Sequence, residues 1–461
     1  MTLLRDVEVD GRRCDVRVSQ GRVVAMGARL SADREDVVDG HGGALLPGLH
    51  DHHLHLLAMA AALHSVHLGP PAVSDPGSFD RVVRDAAAVG SWLRGVSYDE
   101  ATAGPLDRWR LDALAGSVPA RVQHRSGALW VLNSAALAVT GLESVAADGR
   151  LFRQDELLRR RLPHEPPSLA EVGARLLRHG VTGVTDATPD ADQSYVDTIA
   201  AGDLPQRVQV MSGPLVAVPP ELTAGPVKLR CEDDTDLVEL VEGIRAARHV
   251  DRCVAVHCVT RAALALALAA WGIVGVRHGD RVEHASVASP DAVAEIARLG
   301  LVVVTQPNFV AERGDGYLAA VDAGDLPHLY PCARLLDAGV PLAAGTDAPF
   351  GDADPWRAIA AAIDRRTASG RVLGADQRLA ARAALDLFVA PLDEPGGSRR
   401  RVRTGVPADL CLLSVPLRDA LAEPSASHVT WVHTASRELP RGFDGIEDVN
   451  PLMILAGRSC D

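Results

Sequence analysis

Lysine is almost absent from this chain of 461 residues. Lys228 is the only lysine, whereas lysine and arginine together number 47. An arginine side chain cannot be deprotonated in a protein, but a lysine amine can, and only the neutral amine is a nucleophile. We therefore expect Lys228 to perform a task that arginine cannot. The alternative is that an arginine-rich composition left a single lysine by chance.

Long apolar segments are also missing. The longest apolar runs, Leu56–Leu63 and Ala262–Trp271, are far too short to span a bilayer. Charged residues occupy the N-terminus, where a secretory signal needs an apolar run. The 7 cysteines are odd in number and scattered, which fits a reducing compartment better than a disulfide framework. These absences predict a cytoplasmic protein with no membrane partner.

A basic charge excess and two common catalytic motifs are absent as well. The formal net charge is -13, which argues against a nucleic-acid partner. No Gly-x-Ser-x-Gly motif occurs, so the nucleophile elbow of a serine hydrolase is excluded. The only lysine follows a valine, so the Gly-Lys-Ser/Thr of a phosphate-binding P-loop is excluded too.

Short apolar strands alternate with alanine- and leucine-rich helices through most of the chain. Strands that alternate with helices pair in parallel, and eight of them predict an α/β fold, a closed (β/α)₈ TIM-like barrel. The eight are a strand that ends at His55, followed by Val181–Ala187, Arg207–Met211, Pro226–Cys231, Val254–Cys258, Val282–Ala285, Leu301–Gln306 and Pro341–Thr346.

The two ends of the chain instead alternate as short strands separated by glycine-rich turns. Residues 1–46 and 393–461 are expected to form one composite β-domain, a small β-sandwich built from both chain ends. The barrel is expected to comprise residues 47–392. A stretch at about 65–165 interrupts the alternation of strands and helices and predicts an insertion into the barrel.

Polar residues stand where several of the predicted barrel strands end. His53 and His55 are two apart on a strand, so their imidazoles project to the same side and form half of a zinc site. His257, His284 and Asp347 each follow an apolar run and precede a loop or helix. Catalytic residues of such barrels lie at the carboxyl ends of the strands, so these five side chains are expected to converge.

Lys228 falls on the fourth predicted strand, between these groups. A cationic lysine would be repelled by two divalent metals. Reaction of its neutral amine with carbon dioxide gives an anionic carbamate, whose two oxygens can bridge the metals, and arginine cannot follow this route. The alternative is an ordinary lysine that pairs with Asp347 or Glu283.

The combined motifs resemble the amidohydrolase superfamily, and in particular its amidohydrolase family 3 branch, which includes N-substituted formamide deformylases. The resemblance rests on Pro47–His55 (PGLHDHHLH), Lys228, the strand ends at His257 and Glu283-His284, Gly345–Gly351 (GTDAPFG), Asn133–Leu137 and Gln306-Pro307. It implies two divalent metal ions, with zinc the expected metal. It further implies the following ligands: His53, His55 and Asp347 for one metal, His257 and His284 for the other, and N6-carboxylated Lys228 as the bridge.

The resemblance also implies hydrolysis of a non-peptide C–N bond, an amide or an N-acyl or N-formyl group, in a small molecule. Two metals would lower the pKa of a bridging water, and the resulting hydroxide would attack the carbonyl. Asp347 is the expected catalytic residue, taking the proton from the water and delivering it to the departing amine. Candidates for contacting the substrate are Tyr98, His124, Arg125, Trp130, Gln306, Arg313 and Tyr317, although packing at the surface explains any one of them as well.

Two alternatives stay open at this point. A mononuclear deaminase of the same superfamily needs His-x-His, one further histidine and an aspartate, but no bridging lysine. A non-catalytic barrel would serve as a binding protein, although it would not need all six ligand types. The expected partner is a small amide-like substrate, and a homodimer is the most common assembly for such a chain.

Overall fold

The computed structural model describes residues 1–32, 34–63, 65–70, 73–162 and 168–435. Met1–Leu56 and the described part of the chain from Leu169 onward form one compact unit, called the larger unit below. Leu57–Ser168 form a second compact unit, called the smaller unit. In the part of the chain described, no helix is long and apolar enough to cross a membrane.

The strands are named in chain order. They are β1 (Thr2–Val9), β2 (Arg12–Ser19), β3 (Arg22–Gly27), β4 (Asp36–Asp39), β5 (Leu45–Pro47), β6 (Leu49–Leu54), β7 (Val66–His67), β8 (Leu93–Tyr98), β9 (Ala120–His124), β10 (Leu129–Leu132), β11 (Arg150–Phe152), β12 (Val181–Asp186), β13 (Arg207–Val210), β14 (Thr223–Ala224), β15 (Val227–Arg230), β16 (Val254–Cys258), β17 (Arg281–His284), β18 (Val302–Thr305), β19 (Leu342–Ala344), β20 (Leu410–Leu413) and β21 (Val429–His433).

The α-helices follow the same convention. They are α1 (Leu56–Leu63), α2 (Pro76–Val89), α3 (Glu100–Ala103), α4 (Arg108–Ala115), α5 (Ser134–Thr140), α6 (Asp155–Arg161), α7 (Ala170–Arg178), α8 (Gln193–Ala201), α9 (Leu237–His249), α10 (Arg261–Val274), α11 (Pro290–Leu299), α12 (Asn308–Ala320), α13 (Cys332–Asp337), α14 (Pro355–Asp364), α15 (Ala381–Asp386) and α16 (Leu417–Ala422).

Two parallel sheets form the centre of the larger unit. Their strand orders are β14-β13-β12-β6 and β15-β16-β17-β18-β19. Strands of a parallel sheet are covered on both faces, which explains why these segments are nearly continuous apolar runs such as VAVHC and VVVT. The seven strands predicted after His55 are confirmed within two residues of their predicted limits. The chain is therefore a mixed α/β protein.

Hydrogen bonds join the loop after β19 to β6. The Asp347 N–H donates to the His53 carbonyl at 2.7 Å, and the His55 N–H donates to the Ala348 carbonyl at 2.8 Å. The buried Asp51 carboxylate accepts from both the N–H and the hydroxyl of Thr346, at 3.1 and 2.6 Å. Burial raises the pKa of Asp51 to about 7. These contacts bring the carboxyl end of β6 beside the carboxyl end of β19.

Both ends of the described chain contribute to one apolar core. One sheet has the order β3-β2-β1-β4 and another the order β21-β20-β5. The side chains of this core come from strands near the N-terminus and from the segment after residue 401: Leu4, Val7, Val16, Val18, Val23, Leu45, Val402, Leu410 and Leu412. The β-sandwich and the domain limits stay predictions.

The smaller unit contains a five-stranded sheet of order β11-β10-β9-β8-β7. Strands β7, β8 and β9 are parallel, whereas β10 is antiparallel to both β9 and β11. Strands β8 and β9 lie within the stretch at about 65–165 that was predicted to be an insertion. Helix α2 begins with a capping box in which Asp75 accepts from the Ser78 N–H.

Asp280 holds two helices to the amino ends of β16 and β17. Its fully buried carboxylate accepts from the Val254 N–H at 3.0 Å, the Trp271 indole at 3.2 Å, the Arg277 N–H at 2.9 Å and the Arg248 guanidinium. Removal of this carboxylate would leave the buried donors and the Arg248 charge without a partner, which is a costly change.

We predict that Asp280→Ala lowers the free energy of unfolding by about 3–5 kcal/mol, the range for breaking a buried ion pair. Chemical denaturation followed by circular dichroism measures this loss. Asp251→Ala is the matched control, because Asp251 pairs with Arg277 at 2.6 Å but is exposed. An exposed pair contributes about 0–1 kcal/mol, so equal losses for the two variants would contradict the prediction.

Candidate metal centre

The carboxyl end of β6 places two imidazoles beside Asp347. Every residue of β6 is buried, and His53 and His55 project to the same side as their spacing predicts. The His55 Nε2 lies 3.0 Å from the Asp347 Oδ1, and the His53 Nε2 lies 3.6 Å from the same oxygen. The ring centroids of the two histidines are 5.5 Å apart.

Asp347 has a backbone conformation that few residues adopt. Its φ is 57°, in the left-handed region, and the hydrogen bond from its N–H to His53 holds it there. Burial by itself raises the pKa of the Asp347 carboxyl, but the hydrogen bond from His55 and the nearby imidazoles outweigh burial and hold the pKa below its ordinary value. The carboxylate is therefore ionised at neutral pH.

His257 and His284 complete a cluster of imidazoles. Their ring centroids are 4.4 Å apart, and the His284 ring lies 4.7 Å from that of His53. Burial lowers the pKa of His284 to about 3 and that of His53 to about 4, and it holds the pKa of His257 well below the ordinary value. Neutral imidazoles are the form that binds metals.

The other ring nitrogen of three of these histidines is already engaged. The His53 Nδ1–H donates to the Glu283 carboxylate, and the His284 Nδ1–H donates to the Gln306 Oε1 at 2.7 Å. The His55 Nδ1 lies 3.1 Å from the Thr188 hydroxyl. A histidine that ligates a metal usually has such a partner for its second nitrogen. The Nε2 of His53 and of His284 is then the nitrogen that can coordinate, whereas the Nε2 of His55 contacts Asp347.

Lys228 is buried on β15, and its Nζ has no hydrogen-bond partner among the described residues. No ion pair within 4.0 Å joins Lys228 to Asp347 or Glu283 in the part of the chain described. Burial lowers the pKa of the amine, and the charge of Glu283 opposes this effect only in part. An unpartnered buried amine costs free energy, so this position fits a further group bound to Nζ.

The donor set fits a divalent cation that accepts nitrogen and oxygen ligands. One ligand atom from each of His53, His284 and Asp347 lies within 4.8 Å of the other two, close enough to surround one ion. This group joins members of both predicted ligand sets. His55 contacts it through Asp347, and His257 contacts it through the His284 ring.

Sequence reasoning missed three side chains that support this centre. Glu283 is fully buried and accepts from both His53 and the Arg281 Nε, the latter at 2.5 Å. Thr188 contacts His55, and Asp51 accepts from the backbone N–H of His53 at 3.1 Å. The available signal for Glu283 was a charged pair, Arg281 and Glu283, two apart in a short buried strand.

Three candidate substrate residues lie in the larger unit. Gln306 follows β18 and is buried against His284, with its amide nitrogen unpartnered among the described residues. Arg313 on α12 donates to the Phe350 carbonyl, and the Phe350 ring lies 5.3 Å from that of His55. The Tyr317 hydroxyl lies 3.0 Å from that of Tyr330.

The other four candidates lie in the smaller unit. Tyr98 is fully buried and donates to the Gly104 carbonyl at 2.8 Å, while the Trp130 indole donates to Asp155 at 2.7 Å. Arg125 pairs with Asp99 at 3.2 Å, and His124 lies 3.0 Å from Glu100. Tyr98 and Trp130 thus contribute to packing inside this unit, and Arg125 is already paired with an acid.

Comparison with known proteins gives consistent matches. Residues 36–436 match the profile of a family described as "Amidohydrolase family". N-substituted formamide deformylase from Arthrobacter pascens is 23% identical over 516 residues, covering 90% of this chain and 94% of that protein.

An uncharacterized metal-dependent hydrolase from Pyrococcus horikoshii OT3 superposes with a TM-score of 0.73 at 20% identity, covering 90% of this chain and 97% of that one. An uncharacterized metal-dependent hydrolase from Pyrococcus furiosus superposes with a TM-score of 0.70 at 20% identity, covering 90% of this chain and 98% of that one. The two solved structures share the fold of this chain.

We predict that Glu283→Gln weakens metal binding about 10–100-fold, the range for loss of a partner behind a metal ligand. The variant amide is a poorer acceptor for the His53 Nδ1–H and leaves Arg281 without its counter-charge. Competition with a chromogenic chelator measures the affinity without any substrate. Asp15→Asn is the control, since this buried carboxylate on β2 lies away from the histidines and accepts from the backbone N–H groups of Asp6 and Leu30. Equal affinities for wild type and Glu283→Gln would contradict the assigned role.

Proposed function

We propose a function from the premise that this chain belongs to the amidohydrolase family. It is a hydrolase acting on C–N bonds other than peptide bonds, and we infer that its substrate is a small molecule bearing an amide, N-acyl or N-formyl group. The observation that carries the proposal is the convergence of His53, His55, His284 and Asp347 at adjoining strand ends. The formamide deformylase among its relatives supports this bond type.

The scaffold we propose is a (β/α)₈ barrel. Support comes from the order of the two parallel sheets and from the hydrogen bonds between the loop after β19 and β6. Strands β14 and β15 are separated by only two residues, Gly225 and Pro226, so the chain leads directly from one sheet into the other. With β14 and β15 counted as one position, the nine strands would occupy eight positions in a closed ring with all carboxyl ends on one side.

We propose that the centre holds two divalent metal ions, zinc being the expected one. His53, His55 and Asp347 would hold one, His257 and His284 the other, and a carboxylated Lys228 would bridge them. When bound, such ions lower the pKa of a water and polarise the carbonyl group. The unpartnered Lys228 Nζ and the lowered pKa of its amine support carboxylation, because the neutral amine is the form that reacts with carbon dioxide.

Asp347 is the residue that we propose to transfer the proton. Its carboxylate is ionised and is held by the Asp347 N–H bond to His53, so it can accept a proton from the attacking water. It then delivers that proton to the amide nitrogen as the C–N bond breaks. The balanced products are a carboxylic acid and an amine.

The side chains Gln306, Arg313 and Tyr317 are the proposed substrate contacts within the larger unit. Arg313 is the stronger candidate for a substrate carboxylate than Arg125, because Arg125 already pairs with Asp99. Arg313 has no acidic partner within 4.0 Å in the described ranges, and its guanidinium lies 3.9 Å from the centre of the Phe309 ring. Tyr98, His124 and Trp130, a homodimer and a cytoplasmic location stay predictions.

A screen of N-formyl and N-acyl amines with the metal-loaded protein tests the function. We predict that wild type hydrolyses at least one class and that Asp347→Asn lowers kcat at least 10³-fold, because the amide cannot accept the proton. Asp364→Asn, at an exposed position on α14, is the control and should keep wild-type activity. Release of ammonia from an aminated heterocycle, with no amide cleavage, would instead favour the mononuclear deaminase. No turnover of any compound would favour a non-catalytic barrel.

Lys228→Arg provides a separate prediction about the second metal. The guanidinium keeps the positive charge but cannot form a carbamate, so we expect about one metal ion per chain in place of two and loss of most activity. Elemental analysis of the purified proteins measures the stoichiometry, and ¹³C-bicarbonate labelling of wild type detects the carbamate carbon. Full metal content and full activity in Lys228→Arg would reject the bridging role.

A further inference from the structure

Two arginines of the smaller unit stand side by side. Arg94 on β8 and Arg121 on β9 are register partners in a parallel strand pair, so their side chains leave the same face of the sheet. Side chains directly opposite one another on neighbouring strands are close enough to interact, and like charges in this arrangement repel. A pair of this kind needs a compensating partner.

Trp130 supplies part of the compensation. The guanidinium carbons of Arg94 and Arg121 lie 5.5 and 5.2 Å from the centre of its ring. The Trp130 indole donates to the Asp155 Oδ1 at 2.7 Å, which fixes the ring. An aromatic face attracts a cation but provides no acceptor for its N–H groups.

The two guanidiniums have fewer hydrogen-bond acceptors around them than N–H donors. Arg94 donates to the Ala61 carbonyl at 2.6 Å and contacts the Ser65 hydroxyl, but its Nε is buried without a partner among the described residues. The Arg121 Nε is likewise buried without an acceptor. Among the side chains that the structure describes, no aspartate or glutamate oxygen lies within 4.0 Å of either guanidinium, and the Arg121 guanidinium makes no hydrogen bond.

Both side chains nevertheless keep their charge at neutral pH. Burial lowers the pKa of Arg94 to about 9, with a further contribution from Arg121, and it lowers the pKa of Arg121 to about 10. Three other arginines of low exposure have acceptors. Arg281 pairs with Glu283, and Arg248 pairs with Asp280. Arg365 donates to the carbonyls of Leu329, Tyr330 and Leu373.

We propose that Arg94 and Arg121 form a binding site for the oxyanion of a small molecule, a carboxylate or a phosphate group. Two adjacent guanidiniums present several N–H donors in fixed planes, which match the oxygens of such an anion. The bound anion supplies the negative charge and the acceptors that the described surroundings lack. Neither arginine belongs to the predicted metal ligands or to the predicted substrate contacts.

Calorimetric titration of the full-length protein tests the site. Inorganic phosphate and acetate are titrated separately at pH 7 in low-salt buffer, and we expect saturable binding of at least one anion that weakens as sodium chloride is added. Tighter binding of phosphate would indicate a phosphorylated ligand, and tighter binding of acetate a carboxylate. Arg121→Met keeps a long side chain against Trp130 and should weaken the binding at least tenfold.

Arg81→Met on α2 is the matched control, because Arg81 is exposed and belongs to the same unit. The affinity of this variant for the anion should equal that of wild type. The bound anion should raise the melting temperature of wild type and of Arg81→Met but not that of Arg121→Met. If Arg121→Met does not fold, wild type is treated with phenylglyoxal, a reagent that modifies arginine, with and without phosphate. Peptide mass spectrometry then measures whether phosphate protects Arg121 from modification. Absence of saturable binding by wild type, unchanged affinity in Arg121→Met, or unprotected Arg121 would overturn the proposal.

Discussion

The hydrogen bonds between β6 and the loop after β19 are the constraint on which the candidate metal centre depends. The Asp347 N–H donates to the His53 carbonyl, and Asp51 accepts from Thr346 and from the His53 N–H. Asp347 has a positive φ, which costs free energy unless the surroundings enforce it. These bonds enforce it and so direct the carboxylate toward the imidazoles of His53 and His55. Without them, residues almost 300 positions apart in the sequence would have no fixed relation.

Burial is the second condition of the centre, and it acts on acids and bases in different ways. It keeps His53 and His284 neutral and ready to bind a cation, because a buried imidazolium is poorly solvated. Glu283 stays charged in spite of its burial because Arg281 and His53 surround it, and they hold its pKa well below the ordinary value. The Lys228 Nζ is buried in the same surroundings and has no hydrogen-bond partner among the described residues. A site of this kind strengthens every electrostatic interaction within it.

Much of the fold and part of the site could be predicted from the sequence. The apolar runs of β12, β16 and β18 are recognisable locally, because parallel strands are buried on both faces. The spacing of His53 and His55 predicts a shared direction for the same local reason. The hydrogen bond between Glu283 and His53 could not be predicted, because it joins strands of two different sheets. The two candidate arginines also look alike in sequence, but Asp99 neutralises Arg125 and no described acid neutralises Arg313.

The sequence by itself determined which chemical groups are available: a single lysine, histidines and an aspartate at the ends of apolar runs, and the alternation of strands with helices. Such information is local, because propensity and periodicity depend on neighbours along the chain. Only the tertiary structure decided which groups meet. It grouped His53 and His284 with Asp347, placed Glu283 and Gln306 behind two of the imidazoles, and set Arg94 beside Arg121. These relations depend on strand register and on contacts between distant segments, which a sequence pattern does not specify.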